Sequence, residues 1–325
     1  MDVRLARPTD AALVLSLALD ASSHIVKGFG WATGNDAVRA LIRASLPLGT
    51  RGRAWIARDR ENIALLEAEP RQYVIGWDIN RLAVRGEDVD ETVACVIGAA
   101  VCHLQNRGVP RMFARTTEDR ASYLRPLGFH ALAREYVLLS PMGHESGSAS
   151  PPPDSRYRMP QDSWPLHQLE SEVTPPLVRQ LEGLTSLDWS RPVRRMTEIV
   201  VEGDGHVVAW ISWGARLGPH HRGMTMLLHP DHKELADVLI RHALAQGPDD
   251  SRFVARVRDY HVHALRAFID AGFSIESEEV LLVKHAGVEL APAFKPRLAV
   301  NTVPSISGFN VHLCRRVCTG EYPEG

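Results

Sequence analysis

One Gly-Phe pair written twice sets the outline of this chain: Leu127-Gly128-Phe129 recurs as Ala271-Gly272-Phe273, 144 residues later. In each place a short helical stretch ends at the glycine, which accepts the left-handed conformation that closes a helix, and an apolar strand follows, over 132–139 and 277–284. The same offset of 144 relates Val84 to Leu228, the ends of two apolar strands that each lead into an amphipathic helix. The chain reads as one domain written twice. Its 325 residues suit two domains of ordinary size and exceed what one core usually serves.

Composition narrows the class of protein. A chain with 45% hydrophobic and 23% charged residues is expected to be soluble and globular. A net charge of −2 supplies no general field for nucleic acid or an anionic membrane, and no local basic patch replaces it, so neither is expected as a partner. The N-terminus lacks a basic segment followed by an apolar run and a small-residue cleavage site, and no apolar stretch reaches the length of a membrane span, so a cytoplasmic protein is expected. Nothing in the sequence fixes an oligomeric state. Cys95 and Cys102 lie seven apart on one face of an expected helix and read as packing thiols. Cys314 and Cys318, with His312 nearby, lack the second pair of ligands that zinc requires, and no metal site is expected.

Residues 143–155, with Ser-Gly-Ser-Ala-Ser followed by Pro151-Pro152-Pro153, carry no apolar period and read as a linker between a first copy over 1–142 and a second over 156–285. Residues 286–325 hold no sustained pattern and read as an extension. Pro8-Thr9-Asp10 and Pro160-Gln161-Asp162 each place a proline and an acid in a helix's first turn. Second helices are expected over 35–46 and 176–187. Strands follow over 54–58, 63–67 and 74–84 in the first copy, and over 198–202, 207–213 and 223–228 in the second, where Asp204-Gly205 supplies the positive φ angles of a tight hairpin. Helices over 91–106 and 234–245 come next; Val93, Val96, Ile97, Ala100 and Leu104 form one stripe of the first, and Leu235, Val238, Leu239 and Ala243 one stripe of the second. Strands over 111–115 and 253–257, then short helices ending at Gly128 and Gly272, complete the repeat.

This order, with Gly-Phe closing the short helix in both copies, resembles the GNAT acetyltransferases. The resemblance implies an α/β (α+β) fold: two tandem GNAT-like domains, each a mixed, mostly antiparallel sheet flanked by helices. It also implies transfer of an acetyl group from acetyl-CoA to a small amine. In that family the donor lies where the fourth strand splays from the fifth, and its diphosphate meets the start of the next helix, whose unpaired N–H groups and dipole favour anions. Carried onto this chain, the donor-binding positions are Leu82, Ala83, Val84, Arg85 and Gly86 in the first copy, and Leu227, Leu228, His229 and Lys233 in the second. The family's loop usually reads Arg/Gln-x-x-Gly-x-Gly/Ala. Here it is Arg85-Gly86-Glu87-Asp88-Val89-Asp90-Glu91, with four carboxylates, and His229-Pro230-Asp231-His232-Lys233-Glu234, with no glycine.

Acetyl transfer to an amine needs a base for the ammonium proton, donors for the oxyanion and often an acid for the thiolate. The family's tyrosine acid, four residues before the glycine, falls on Leu124 and Phe268, which have no proton to give. Tyr123 is one residue, or about 100° of helix, away and is the candidate acid that remains. Asp78 is the one carboxylate on the inward face of the first copy's long strand and is the candidate base. His220, His221, His261 and His263 read as solvated loop residues, because no carboxylate or ligand spacing accompanies them. The missing tyrosines and acidic loops leave a second reading open, a catalytically inactive member that binds a ligand or a partner.

Overall fold

The same ion pair opens each copy. Arg4 grips both oxygens of Asp10 at 2.8 Å, and Asp10 also accepts from the backbone N–H of Arg7 at 2.7 Å. In the second copy Arg156 grips Asp162 at 2.7 Å through both nitrogens, and Asp162 accepts from Met159 N–H at 2.6 Å. Each carboxylate caps the turn that Pro8 or Pro160 begins and ties it to the strand before it. The computed structural model describes residues 1–20, 24–27, 52–71, 76–142, 150–190, 196–217, 220–247 and 250–285. The helix expected over 35–46 and the extension over 286–325 lie outside them.

The first copy contributes β1 (Asp2–Leu5), α1 (Ala11–Leu19), β2 (His24–Lys27), β3 (Arg53–Arg58), β4 (Ile63–Pro70), β5 (Trp77–Arg85), α2 (Val89–Gln105), β6 (Arg111–Thr116), α3 (Glu118–Ala121) and β7 (His130–Leu139). The second contributes β8 (Ser155–Tyr157), α4 (Ser163–Val173), α5 (Pro176–Glu182), β9 (Thr197–Gly203), β10 (His206–Arg216), β11 (His221–Leu228), α6 (Leu235–Ala245), β12 (Arg252–Arg258), α7 (Val262–Asp270) and β13 (Ser274–His285). The expected hairpin forms between β9 and β10, with Asp204 at φ 51° and Gly205 at φ 82°. The helix expected over 176–187 stops earlier, because Gly183 turns left-handed at φ 63°; the Arg111 guanidinium, from the first copy, lies against it and donates to Glu182 O at 3.2 Å.

The thirteen strands among the described residues join one sheet, in the order β1-β3-β4-β5-β6-β13-β7-β12-β11-β10-β9-β8, with β2 on β5 off this path. The two halves exchange their closing strands. β13 pairs with β6 from Val280↔Thr116 to His285↔Arg111, while β7 pairs with β12 from Val254↔Leu139 to Arg258↔Glu135. β7 and β13 also pair with each other. Val280 and Leu282 therefore sit in the first half's core and Leu138 in the second's.

Helices cover both faces. The expected stripe of α2 is buried against β3 and β4, with Val93, Val96 and Ala100 at 0% exposure, and each large aliphatic side chain so buried contributes about 1.5–3 kcal/mol. The Gly-Phe signature has a structural explanation. Gly128 (φ 82°) and Gly272 (φ 89°) reverse the chain, and Phe129 and Phe273 donate back to Leu124 O and Phe268 O while their rings enter the core. Cys95 is half-buried and forms no disulfide; Cys102, expected as a second packing thiol, is disulfide-bonded.

Candidate functional site

Both copies have a place where a long strand diverges from its parallel neighbour. In the first, β5 pairs with β4 along its length, from Ile63↔Arg85 to Pro70↔Trp77, but with β6 only at Trp77↔Met112 and Asp78↔Phe113. Beyond Asp78 the free edge of β5 does not face an opening. β2 lies along it, pairing His24 with Ala83, Val26 with Leu82 and Lys27 with Arg81. The Thr116 hydroxyl and the Arg120 guanidinium hold the other side of β2 by donating to Ile25 O and His24 O. Ile25 and Val26 are buried in the core. The chain has filled this slot with its own strand.

The adjoining corner is equally self-contained. Leu82, Ala83 and Val84 are buried, and Arg85 reaches back to Ser16 O at 3.2 Å and to Asp20 at 3.4 Å. Asp88 N–H donates to the Asn62 side chain at 3.0 Å. A Cβ on Gly86 would lie 2.1 Å from that same Asn62 oxygen, so the glycine makes room for asparagine. Glu87 and Asp88 are exposed. Asp78 carries Arg71 on both oxygens at 3.0 Å and Arg115 on one at 3.3 Å. Tyr123 is partly buried against the first core, and Leu124 and Phe268 are fully buried. Asp78 and Tyr123 are thus engaged by different neighbours, arginines for the one and the apolar core for the other.

In the second copy β11 pairs with β12 only from His221↔Arg252 to Met224↔Ala255, and the divergence beyond is open. A cleft of about 440 Å3 lies there, on the side covered by α4. Trp189, Trp210, Met196, Met224 and Leu217 give it apolar walls, and Glu170, Thr174, Thr225, Arg258 and His261 supply polar groups. Trp189 meets Trp210 edge-on with ring centroids 5.1 Å apart. Trp189 Nε1 donates to Glu170 at 2.9 Å. Burial pushes the Glu170 carboxyl up to about 7, against the pull of that hydrogen bond and with help from the charge of Glu182. His261 is pushed down to about 4 by burial and by Arg258, so its imidazole is neutral at physiological pH.

Sequence reasoning missed Glu170. Its one signal is positional: it belongs to the stripe 166, 169, 170, 173 of α4, where Leu166, Leu169 and Val173 pack into the core, and a carboxylate replaces an apolar residue. His261, read as a solvated loop residue, instead lines the cleft at the start of α7.

Beneath the cleft, where the halves exchange strands, four arginines and four carboxylates interlock. Glu135, 2% exposed, receives Arg115 at 2.7 Å, Arg258 at 3.3 Å and Arg256 at 3.5 Å. Arg258 also binds both oxygens of Glu182 and donates to Tyr260 at 2.6 Å; Arg256 reaches Glu279, and Arg71 and Arg115 share Asp78. The guanidiniums hold the Glu135 carboxyl down to about 2 against the cost of its burial.

Of the remaining positions carried over by resemblance, Leu227 lines the cleft while Leu228 faces the core on the other side. His229 and Lys233 flank the short turn Pro230–His232 that leads into α6. Among the described residues there is no group of three or more His, Cys, Asp or Glu able to hold a metal, and no helix is long and apolar enough to cross a membrane.

No family model matches the sequence, and a search of curated proteins finds no match. Solved structures do match in fold. A GCN5-related N-acetyltransferase from Sphaerobacter thermophilus aligns over 88% of this chain and 95% of its own, at TM-score 0.52 and 15% identity. A tandem GNAT protein from the clavulanic acid biosynthesis pathway aligns over 88% and 98%, at TM-score 0.52 and 14% identity. A Drosophila protein aligns over 87% and 98%, at TM-score 0.52 and 10% identity. These alignments run across both copies, so the chain is a tandem protein of the GNAT N-acetyltransferase fold.

Proposed function

We propose that the second copy is an N-acyltransferase site, which moves an acetyl group from a thioester donor such as acetyl-CoA to a small amine, and that the first copy is its scaffold. The observation that carries this reading is the contrast between the two slots: one is filled by β2, and the other is open and has Glu170 at its wall. Among the described residues the edge of β11 beyond Met224 has no strand partner on the β12 side, so its peptide groups border the opening, where a donor's amides and a developing oxyanion can use them.

The chemistry follows from the residues present. An amine arrives as its ammonium, and Glu170, poised near 7, takes one proton from it. The nitrogen lone pair then forms a bond to the thioester carbonyl carbon, and the carbon–sulfur bond breaks. The thiolate leaves and is protonated by solvent, and the second nitrogen proton is lost to solvent as the amide forms. Neutral His261 stands beside this path as a hydrogen-bonding group, not a proton donor, because its low pKa leaves it uncharged. The apolar walls of Trp189, Trp210 and Met224 suit an acceptor with an apolar body behind its amine.

The test is thiol release from acetyl-CoA in the presence of a panel of amino sugars, amino acids, polyamines and arylalkylamines. Release that depends on the amine, strongest for acceptors with an apolar body, is the expected result. If no amine raises thiol release above the rate with donor alone, the second copy is not a transferase.

A further inference from the structure

Acetyl-CoA has two recognisable halves, an acyl-pantetheine arm and a phosphorylated nucleotide joined to it by a diphosphate. The open slot of the second copy suits the first half. It is lined by apolar side chains and bordered by the edge of β11 that, among the described residues, has no strand partner beyond Met224. The corner that would meet the diphosphate has a different character. His229 N–H donates to Val208 O at 2.8 Å, and Pro230 has no N–H. Asp231 N–H is taken by the His229 ring at 3.3 Å, and His232 N–H by His229 O at 3.0 Å. Four consecutive positions thus offer no backbone donor to an anion, where a phosphate loop needs its amides exposed.

The charges point the same way. The cavity beside this corner, about 460 Å3, is rimmed by Glu172, Glu202, Asp204 and Asp231, and its one arginine, Arg156, is already held by Asp162 and Glu202. The Asp231 side chain is 85% exposed and Glu234 is 65% exposed, on either side of Lys233. A diphosphate would gain Lys233 and the neighbouring rings of His229 and His232, and would meet four carboxylates around them.

Building on the proposed transferase reading, we infer that this site recognises its donor as an acyl-pantetheine thioester, through the arm alone, and makes no productive contact with the diphosphate or the nucleotide. The first copy supplies no substitute, since its slot is filled and its Asp88 amide is bound to Asn62.

The experiment compares three ligands on the intact chain: acetyl-CoA, acetyl-pantetheine and 3′-phospho-ADP, the nucleotide half by itself. Trp189 and Trp210 in the cleft report binding by fluorescence. Acetyl-CoA and acetyl-pantetheine are expected to bind with Kd values within about threefold of each other, and millimolar 3′-phospho-ADP to leave both curves unmoved. The double variant His229→Gly with Asp231→Gly, which frees the amide at 231, is expected to tighten acetyl-CoA about tenfold and leave acetyl-pantetheine unchanged. Acetyl-CoA binding more than thirtyfold tighter than acetyl-pantetheine to the unaltered protein, or displaced by 3′-phospho-ADP, overturns this inference and leaves the transferase reading standing. Failure of both thioesters to bind overturns the two together.

Discussion

Glu170→Gln is expected to lower acyl transfer by about 100- to 10,000-fold, the range a positioned general base contributes, while making the protein more stable at neutral pH. Glutamine keeps an oxygen for the Trp189 indole N–H and removes the group that must ionise in an apolar wall. Because burial raises the folded carboxyl to about 7, the folded state holds this proton more tightly than the unfolded chain does. The stability it contributes is present below the ordinary carboxylate range and is lost as pH rises through about 7. The loss is about 3 kcal/mol at most, from roughly 1.4 kcal/mol for each unit of displacement. Activity has the opposite slope, rising with pH as Glu170 deprotonates and levelling above about 7. Thermal melts and initial rates of wild type and variant between pH 5 and 9 check both limbs. A variant with normal activity, or a rate profile that keeps its limb near 7, removes Glu170 from the chemistry.

Glu135→Gln is expected to have the largest effect on stability, about 3–5 kcal/mol, as found when one member of a buried ion pair is removed and the rest stay charged. Arg115, Arg256 and Arg258 all turn toward this carboxylate, and guanidinium does not escape by losing a proton. The damage falls where β7, β12 and β13 meet, so both halves should lose stability together, in one denaturant transition shifted to lower concentration. The pH dependence runs opposite to that of Glu170. With its folded pKa held at about 2, Glu135 contributes stability above the ordinary carboxylate range and loses it as pH falls toward 2. A variant whose midpoint stays within experimental error of wild type, or whose halves unfold separately, contradicts this role for the cluster.

The duplicated Gly-Phe endings, the Asp204-Gly205 hairpin and the stripe of α2 were legible in the sequence because each depends on residues within a few positions of one another. The exchange of closing strands was not. β7 and β13 carry the same apolar pattern whichever half they complete, and only pairing across more than a hundred residues, Arg111 with His285 or Leu139 with Val254, decides between the alternatives. The filled first slot was hidden for the same reason, since β2 is four residues long and its role lies wholly in its partners on β5 and β6. The loops after β5 and β11 departed visibly, in the sequence, from the pattern usual in the family they resemble. They did not show that the amides are taken by Asn62 and His229. Glu170 escaped notice because an acid on an apolar stripe acquires meaning only once Trp189 and the cleft stand beside it.

On the proposed reading, this duplicated fold leaves one slot open to a donor and has closed the other with its own backbone. Equilibrium titration with acetyl-CoA tests it most directly, by counting sites in the wild type and in Thr225→Trp, which places a large ring in the open cleft from an exposed strand position. One donor per chain in the wild type, and none in the variant, is the predicted result. Two donors per chain, or one that persists when the second copy's cleft is blocked, would contradict it.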